Sequence, residues 1–494
     1  MLIFASNPQH VFPAELTFAS YALDKNLVND NTAIHPVNIL GGPELEFVLV
    51  SSGKAIIYGQ MPTGFVPLQT IPLPLPPSKG QHLYYGFARV DSPDHYSLVL
   101  LSPGSVNYYP LENGLLAPQP RQLFSSELVS ESSPGPIHRP FDMALDLNGD
   151  GIDELLLPSD NGFSINRRNP DGSYSRIKLP RNAFSVAESF TFNRDIPKDA
   201  VRPRFFMTSM ESRRGASDLL FFDANNDGKQ DLIYSSTATG SAATQVERYD
   251  VFLQLNNLSF EEKPSQSFAV PYDSQADVTF RDINQDGRLD AVLVRSNLDI
   301  VNPRTVIKFY IGEGNGYQVF SHETDRFVTK DPVGLVQLND FNGDGVTDFA
   351  TTFFSYQFGS MEDIVDLAFA NKIQFRLQFF LGRAKQGFPR RPDSEQQITL
   401  NTKLENFRGN PPVMIVKDMN GDKMMDLIVR NSAREIQVFL SQGNYKLSPA
   451  PAATFEIPEN ASLSFLDVNS DGLSDILVSD PANHYFKVIV PLNR

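Results

Sequence analysis

One short segment, repeated six times, constrains this chain more than any other feature. It reads DLNGDGIDE from residue 146, DANNDGKQD from 223, DINQDGRLD from 282, DFNGDGVTD from 340, DMNGDKMMD from 418 and DVNSDGLSD from 467. Every copy carries oxygen-bearing side chains at positions 1, 3, 5 and 9. Five of the six place glycine at position 6, and each leads into a short apolar run such as LLLP, AVLV or ILVS. Acids at alternate positions repel one another unless a cation lies between them. A turn rich in Asp and Asn accounts for one copy alone, but not for six that share an acid at position 9.

Oxygen-only ligands in a tight loop suit calcium, which accepts six to eight oxygens in flexible geometry. The expected side-chain ligands are Asp146, Asn148, Asp150 and Glu154; Asp223, Asn225, Asp227 and Asp231; and Asp282, Asn284, Asp286 and Asp290. The later copies give Asp340, Asn342, Asp344 and Asp348; Asp418, Asn420, Asp422 and Asp426; and Asp467, Asn469, Asp471 and Asp475. Position 7 adds a backbone carbonyl, from Ile152, Lys229, Arg288, Val346, Met424 and Leu473 in turn. Glycine at position 6 allows the sharp turn around the ion. Lys423 stands there in the fifth copy, so that site is expected to be weak, leaving about five strong ones. An EF-hand opens the same way but needs a bidentate Glu at position 12 between two helices. Position 12 here is Leu157, Tyr234, Leu293, Thr351, Val429 and Val478, and the runs after position 9 read as strands.

The motif D-x-N-x-D-G-x-x-[DE] followed by an apolar strand resembles the FG-GAP/VCBS repeat of integrin-α-like β-propellers. The resemblance covers residues 140–494 and implies an all-β propeller with calcium in its blade loops. Each unit parses into four strands, one before the loop and three after it. In the fifth unit these read ADVTFRD, LDAVLVRS, RTVIKFYIG and YQVFSHE. Two further units without calcium are expected within 35–125: 45–61 supplies a second and third strand, and 87–111 keeps the layout around a decayed loop at Asp91 and Asp94. The last unit lacks a fourth strand, and 12–20 is a free strand that would close the ring. The whole of 1–494 therefore reads as one domain of eight blades, the alternative being seven with one unit as a cap.

Composition limits the function. A net charge of −16 opposes binding to a nucleic-acid backbone. No apolar run reaches the length of a membrane span. There is no cysteine, which excludes disulfide staples and thiolate metal sites but suits a bacterial exported protein. The opening MLIFASNPQH has neither the charged start nor the apolar stretch of a secretory signal. Either export takes another route or this is a mature form with an added Met; the expected place is secreted, periplasmic or at the cell surface.

The turns between third and fourth strands (NPDG, LNN, GEGNG, SQGN) read as short and share a face with the calcium loops. Longer insertions at 181–216, 235–248, 354–371 and 391–411 fall on the opposite face, where ligand capture is expected. Arg213, Arg214, Tyr356 and Phe358 are the candidate contacts there. A short helix is expected in 354–371, with Ser360 and Asp363 as its capping box. No catalytic signature stands out, and the seven histidines are scattered. The expected function is non-enzymatic recognition of protein or glycan. The alternatives are a calcium-bearing polysaccharide lyase and a structural subunit of an envelope complex.

Overall fold

The computed structural model describes residues 17–492 apart from connecting segments, the longer ones being 127–136, 181–189, 193–204, 208–216, 313–322, 355–371 and 402–412. Eight sheets follow one another along the chain, antiparallel throughout except that His138–Pro140 adds a fifth strand parallel to Leu83–Ala88 in the second. Blade one is Ala33–Val37, Glu46–Ser51, Lys54–Met61 and Gly64–Pro72. Blade two is Leu83–Ala88, Ser97–Ser102, Ser105–Tyr109 and Arg121–Ser125, and blade three is Ala144–Leu145, Glu154–Ser159, Gly162–Arg168 and Tyr174–Lys178. Blade four is Ser217–Phe222, Asp231–Thr239, Gln245–Phe252 and Gln266–Pro271. Blade five is Ala276–Arg281, Asp290–Asn297, Arg304–Tyr310 and Asp325–Thr329, and blade six is Val333–Asn339, Asp348–Phe354, Ile373–Phe380 and Ser394–Leu400. Blade seven is Val413–Ile415, Leu427–Ser432, Glu435–Phe439 and Ala453–Glu456.

Blade eight is composite. Ser462–Leu466, Asp475–Asp480 and Tyr485–Leu492 take their fourth strand from Thr17–Ala22, which pairs antiparallel with Tyr485–Leu492. The strand expected to close the ring does so, shifted to 17–22; residues 12–16 lie outside the described residues. An eight-bladed β-propeller results.

The core explains why the second strands read as unbroken apolar runs. Phe47–Val50, Leu98–Leu101, Leu427–Val429 and Ile476–Val478 are buried at every position, because each such strand has a blade against both faces. Eight apolar clusters fill the spaces between consecutive blades. Phe47, Tyr58, Leu477 and Val488 form the one that joins blade eight to blade one. Val438, Ile428, Ile476 and Ile489 join seven to eight, and Leu156, Ile165, Leu232 and Phe252 join three to four. Burial of one such side chain contributes roughly 1.5–3 kcal/mol, so the ring is held mainly by blade-on-blade packing.

Several boundaries differ from the sequence reading. The fourth strand of blade five is Asp325–Thr329 rather than 317–323, because Phe327 anchors that segment against Phe309 and Phe349, with ring centroids 5.8 and 4.9 Å away. Most of 235–248 is strand: Asp231–Thr239 pairs with Gln245–Phe252 as far as Thr239 and Gln245, as its β-branched residues favour. Ser394–Leu400, inside the expected insertion 391–411, is the fourth strand of blade six. Its polar residues alternate with partly buried ones, as on a half-exposed edge. Within 181–216, Phe190–Phe192 and Phe205–Met207 form a hairpin that extends blade four to six strands. The connections on the acidic-loop side are not all tight. Small hairpins occupy Leu111–Leu116 and Ser441–Leu447, and a 3-10 turn sits at Asn256–Leu258. Arg213, Arg214, Tyr356, Phe358, Ser360 and Asp363 lie outside the described residues.

Candidate metal-binding loops

The six acidic loops share one hydrogen-bonded frame. The Asn at position 3 accepts the N–H of position 5 through Oδ1, at 2.8 Å in the first loop and 3.2 Å in the last. The Asp at position 5 accepts the N–H of position 7, at 2.8 Å for Asp150, Asp344, Asp422 and Asp471. Position 1 accepts the N–H of position 6: Gly228 donates to Asp223 at 2.8 Å, Gly345 to Asp340 at 2.8 Å and Lys423 to Asp418 at 2.6 Å. Three side chains are thus aimed into the turn by its own backbone amides.

Two residues take left-handed backbone in five of the loops; position 6 of the loop at 282, Gly287, lies outside the described residues. Position 6 does so at Gly151, Gly228, Gly345, Lys423 and Gly472, with φ between 69° and 89°. Position 4 does so in all six, at Gly149, Asn226, Gln285, Gly343, Gly421 and Ser470. The sequence reading assigned a turn to position 6 but missed position 4; its signal was a run of Gly, Asn, Gln and Ser there. Lys423 keeps the frame at φ +69°, so the lysine strains the loop without dissolving it. Lys423→Gly is expected to raise stability by about 1 kcal/mol, since a Cβ in left-handed backbone costs roughly that much. It should also strengthen the loop's cation affinity by removing a positive charge. Denaturation midpoints check the first expectation. Elemental analysis checks the second, as a rise from about five calcium ions per chain toward six. Six equally bound ions in the unaltered protein would overturn this account of position 6.

Position 9 is different in kind. Its carboxylate is buried in every loop, and one oxygen accepts the N–H of position 2, as Asp348 does from Phe341 at 3.0 Å and Asp231 from Ala224 at 3.0 Å. In four blades the second oxygen accepts an N–H from just beyond the third strand: Asp231 from Gln254 at 2.7 Å, Asp290 from Gly312 at 2.7 Å, Asp348 from Gly382 at 2.8 Å and Asp426 from Ser441 at 2.9 Å. The acid cross-braces the loop to the far end of its own blade. Burial, opposed by these hydrogen bonds and aided by the negative charges at positions 5 and 1, pushes Asp231, Asp290, Asp348 and Asp426 up to about 7. Glu154 and Asp475 reach about 7 in the same way.

A seventh loop keeps the brace without the acids. Asn38 Oδ1 accepts the N–H of Gly41, itself at φ +78°, and Glu46 accepts the N–H groups of Ile39 and Leu40 at 2.9 and 3.2 Å. Asn38 and Glu46 thus stand at positions 1 and 9 of blade one, which the sequence reading took to lack any such loop. The available signal was an acid eight residues after Asn38, immediately before the run FVLV.

The loops are also tied to one another. In three of the acidic loops the N–H of position 8 donates to a carbonyl in the preceding blade's loop: Asp153 to Arg89 at 2.8 Å, Met425 to Phe341 at 3.0 Å and Ser474 to Asp418 at 3.0 Å. Tyr96 donates likewise to Asn38 at 2.8 Å, and Leu45 to Val468 at 2.9 Å. The last bond crosses the closure between blades one and eight. Gly343 and Lys423 meet in this belt; a Cβ on Gly343 would stand 2.8 Å from the Lys423 carbonyl oxygen. In blade three, Arg89 reaches Asp153 at 2.7 Å and lies 3.6 Å from Asp146 at position 1.

A repeat profile matches two parts of the chain. The FG-GAP-like repeat profile matches residues 223–293 and 418–478. The chain carries FG-GAP-like repeats. The matched stretches hold the FG-GAP loops at 223, 282, 418 and 467, and the other two share their frame residue for residue. No curated protein matches the chain by sequence. Among solved structures, one describing recognition of non-reducing terminal N-acetylglucosamine by an Agrocybe aegerita lectin is 12% identical, covers 93% of this chain and 99% of its own, and has a TM-score of 0.43. A putative 6-phosphogluconolactonase from Bacteroides fragilis is 12% identical over 87% of this chain and 96% of its own, with a TM-score of 0.31. The WD40 domain of SCAP from fission yeast is 8% identical over 99% and 97%, with a TM-score of 0.35.

The FG-GAP loops fit a hard divalent cation. Their donor set is all oxygen, and negative charges at positions 1, 5 and 9 raise one another's cost. Asp475 Oδ1 is buried with no hydrogen-bond partner among the described residues. Among those residues no three acids or histidines stand already gathered as a cage, because the carboxylates are turned onto backbone amides. Oxygens that accept a single N–H, such as Asp340 Oδ2 from Gly345 and Asp344 Oδ1 from Val346, keep a second lone pair for an ion.

Proposed function

We propose that this propeller is an exported, non-enzymatic recognition module for protein or glycan, its frame braced by calcium. The side chains at positions 1, 3, 5 and 9 and the carbonyl at position 7 would hold the ions, most weakly in the Lys423 loop. Calcium supplies positive charge that lets neighbouring carboxylates stay close. Millimolar calcium outside a cell would fill sites of this kind, which supports export. Among the described residues no helix is long and apolar enough to cross a membrane.

The observation that carries the reading is a division of labour between the two sides of the ring. The loops at 340, 418 and 467 are committed to one another through the belt. Connections on the other side vary freely, from 240–244 within blade four to 355–371 within blade six, and variable loops on a rigid scaffold are where recognition concentrates. Trimming 355–371 to a short turn is expected to abolish binding on a glycan array and in pull-downs from envelope extract, with the melting temperature moved by only a few degrees. Normal binding by the trimmed protein, together with loss of binding on mutation of Asn315, which the sequence assigns to a turn beside the acidic loops and which lies outside the described residues, would reverse the face assignment.

A further inference from the structure

We propose that Arg89 is a built-in cation at the junction of blades two and three, and that it makes the loop at 146 the loosest of the five glycine-bearing calcium sites. The belt places blade two's decayed loop in register with the others. Asp153 at position 8 donates its N–H to the Arg89 carbonyl, as Ser474 does to the carbonyl of Asp418 at position 1. Arg89 therefore stands at position 1, Asp91 at position 3, Pro93 at position 5 and Ser97 at position 9. The acids of positions 1, 5 and 9 are gone, and a guanidinium replaces the first of them.

A matched change sits in the next loop. Position 8 is Gln230, Leu289, Thr347, Met425 and Ser474 in the other acidic loops, and an acid only at Asp153. That acid is 3% exposed. One of its oxygens accepts the Arg89 backbone N–H at 2.8 Å, and the other accepts from Arg89 Nη2 at 2.7 Å. The guanidinium also lies over the Tyr96 ring, 5.6 Å from its centroid, and is thereby held in place. Its Nη2 is 3.6 Å from Asp146 Oδ2, at position 1 of the loop.

Charge gives this arrangement two effects. The guanidinium offsets Asp146 and Asp153 with no ion present, so the junction stays braced when calcium is withdrawn. A buried carboxylate that loses such a partner is costly. The same positive charge opposes a cation entering the loop at 146, and it draws on the Asp146 oxygen that would bind the ion. Cations also approach the loops at 223 and 282, where Lys229 and Arg288 stand 3.3 and 4.0 Å from the acid at position 5. Those acids are 34% and 33% exposed where Asp146 is 12%, so water screens the two pairs more strongly. The inference rests on the calcium reading, because it grades the sites which that reading fills.

Titration calorimetry on the full chain stripped of calcium tests it, with the Lys423 loop silenced by Asp422→Asn. Calcium should fill four loops together and a fifth about tenfold more weakly, and adding Asp150→Asn should delete the weak one. Arg89→Met with Asp153→Asn should tighten the weak site about tenfold, to match the other four. The asparagine keeps an acceptor for the backbone N–H of residue 89. In chelator, Arg89→Met alone should lower the melting temperature by several degrees, and the double variant should recover most of that loss. Five equal sites before Arg89 is changed overturn the inference and leave the calcium reading standing. So do a weak site that survives Asp150→Asn, a weak site left as it was in the double variant, and an Arg89→Met protein that melts normally in chelator. No calcium bound at all removes both readings.

Discussion

Excess chelator is expected to lower the melting temperature of this protein by about ten degrees or more. A site whose dissociation constant lies a hundredfold below ambient calcium adds about 2.7 kcal/mol to folding. About five such sites in one cooperative ring would contribute on the order of 13 kcal/mol. The unfolding entropy of a chain this long is about 1 kcal/mol per degree near the midpoint. Magnesium should restore little, because it demands near-octahedral geometry and gives up water reluctantly. A melting curve unmoved by chelator would remove calcium from the account and leave the belt and the blade packing to hold the ring alone.

The second large effect separates bracing from metal binding within one loop. Asp348→Asn is expected to cost about 2–4 kcal/mol even in chelator, because its carboxylate accepts N–H groups from both Phe341 and Gly382. An amide leaves one of those donors facing another donor. Asp344→Asn, at position 5, should cost stability in calcium and little in chelator. Urea midpoints of both variants, with and without calcium, measure the difference. Glu46→Gln in blade one extends the comparison to a loop without acids at positions 3 and 5, and it should be destabilising independently of calcium. If Asp348→Asn were harmless in chelator, position 9 would be a ligand and no brace.

Much of the architecture was legible because its determinants are local. An acid-rich turn followed by an apolar run marks the same corner of the blade each time, and the run itself reports a strand covered on both faces. The closing strand was legible for a complementary reason, as an unpaired edge needs a partner. What escaped was whatever depends on a neighbour. Ser394–Leu400 looked like a loop since its polar side chains give no sign of the strand beside it. The fourth strand of blade five was misplaced by several residues, because the edge-to-face packing of Phe327 on Phe349 and Phe380 of blade six has no signature in its own segment. Within the loops, the ligand pattern was visible but the second job of position 9 was not, since its donors come from beyond the third strand. Blade one's loop was missed because only the brace survives there, and the brace needs just two of the positions that define the motif.

The pairing of Thr17–Ala22 with Tyr485–Leu492 has a consequence in time. Until Tyr485–Leu492 has been made, Thr17–Ala22 has no partner, so a growing chain is an open arc with a bare strand at one end. The bond between Leu45 and Val468 has to wait for the same event. Joining segments so distant in sequence makes the last step of folding slow. During that interval the exposed strand can pair with another copy of the chain as readily as with its own.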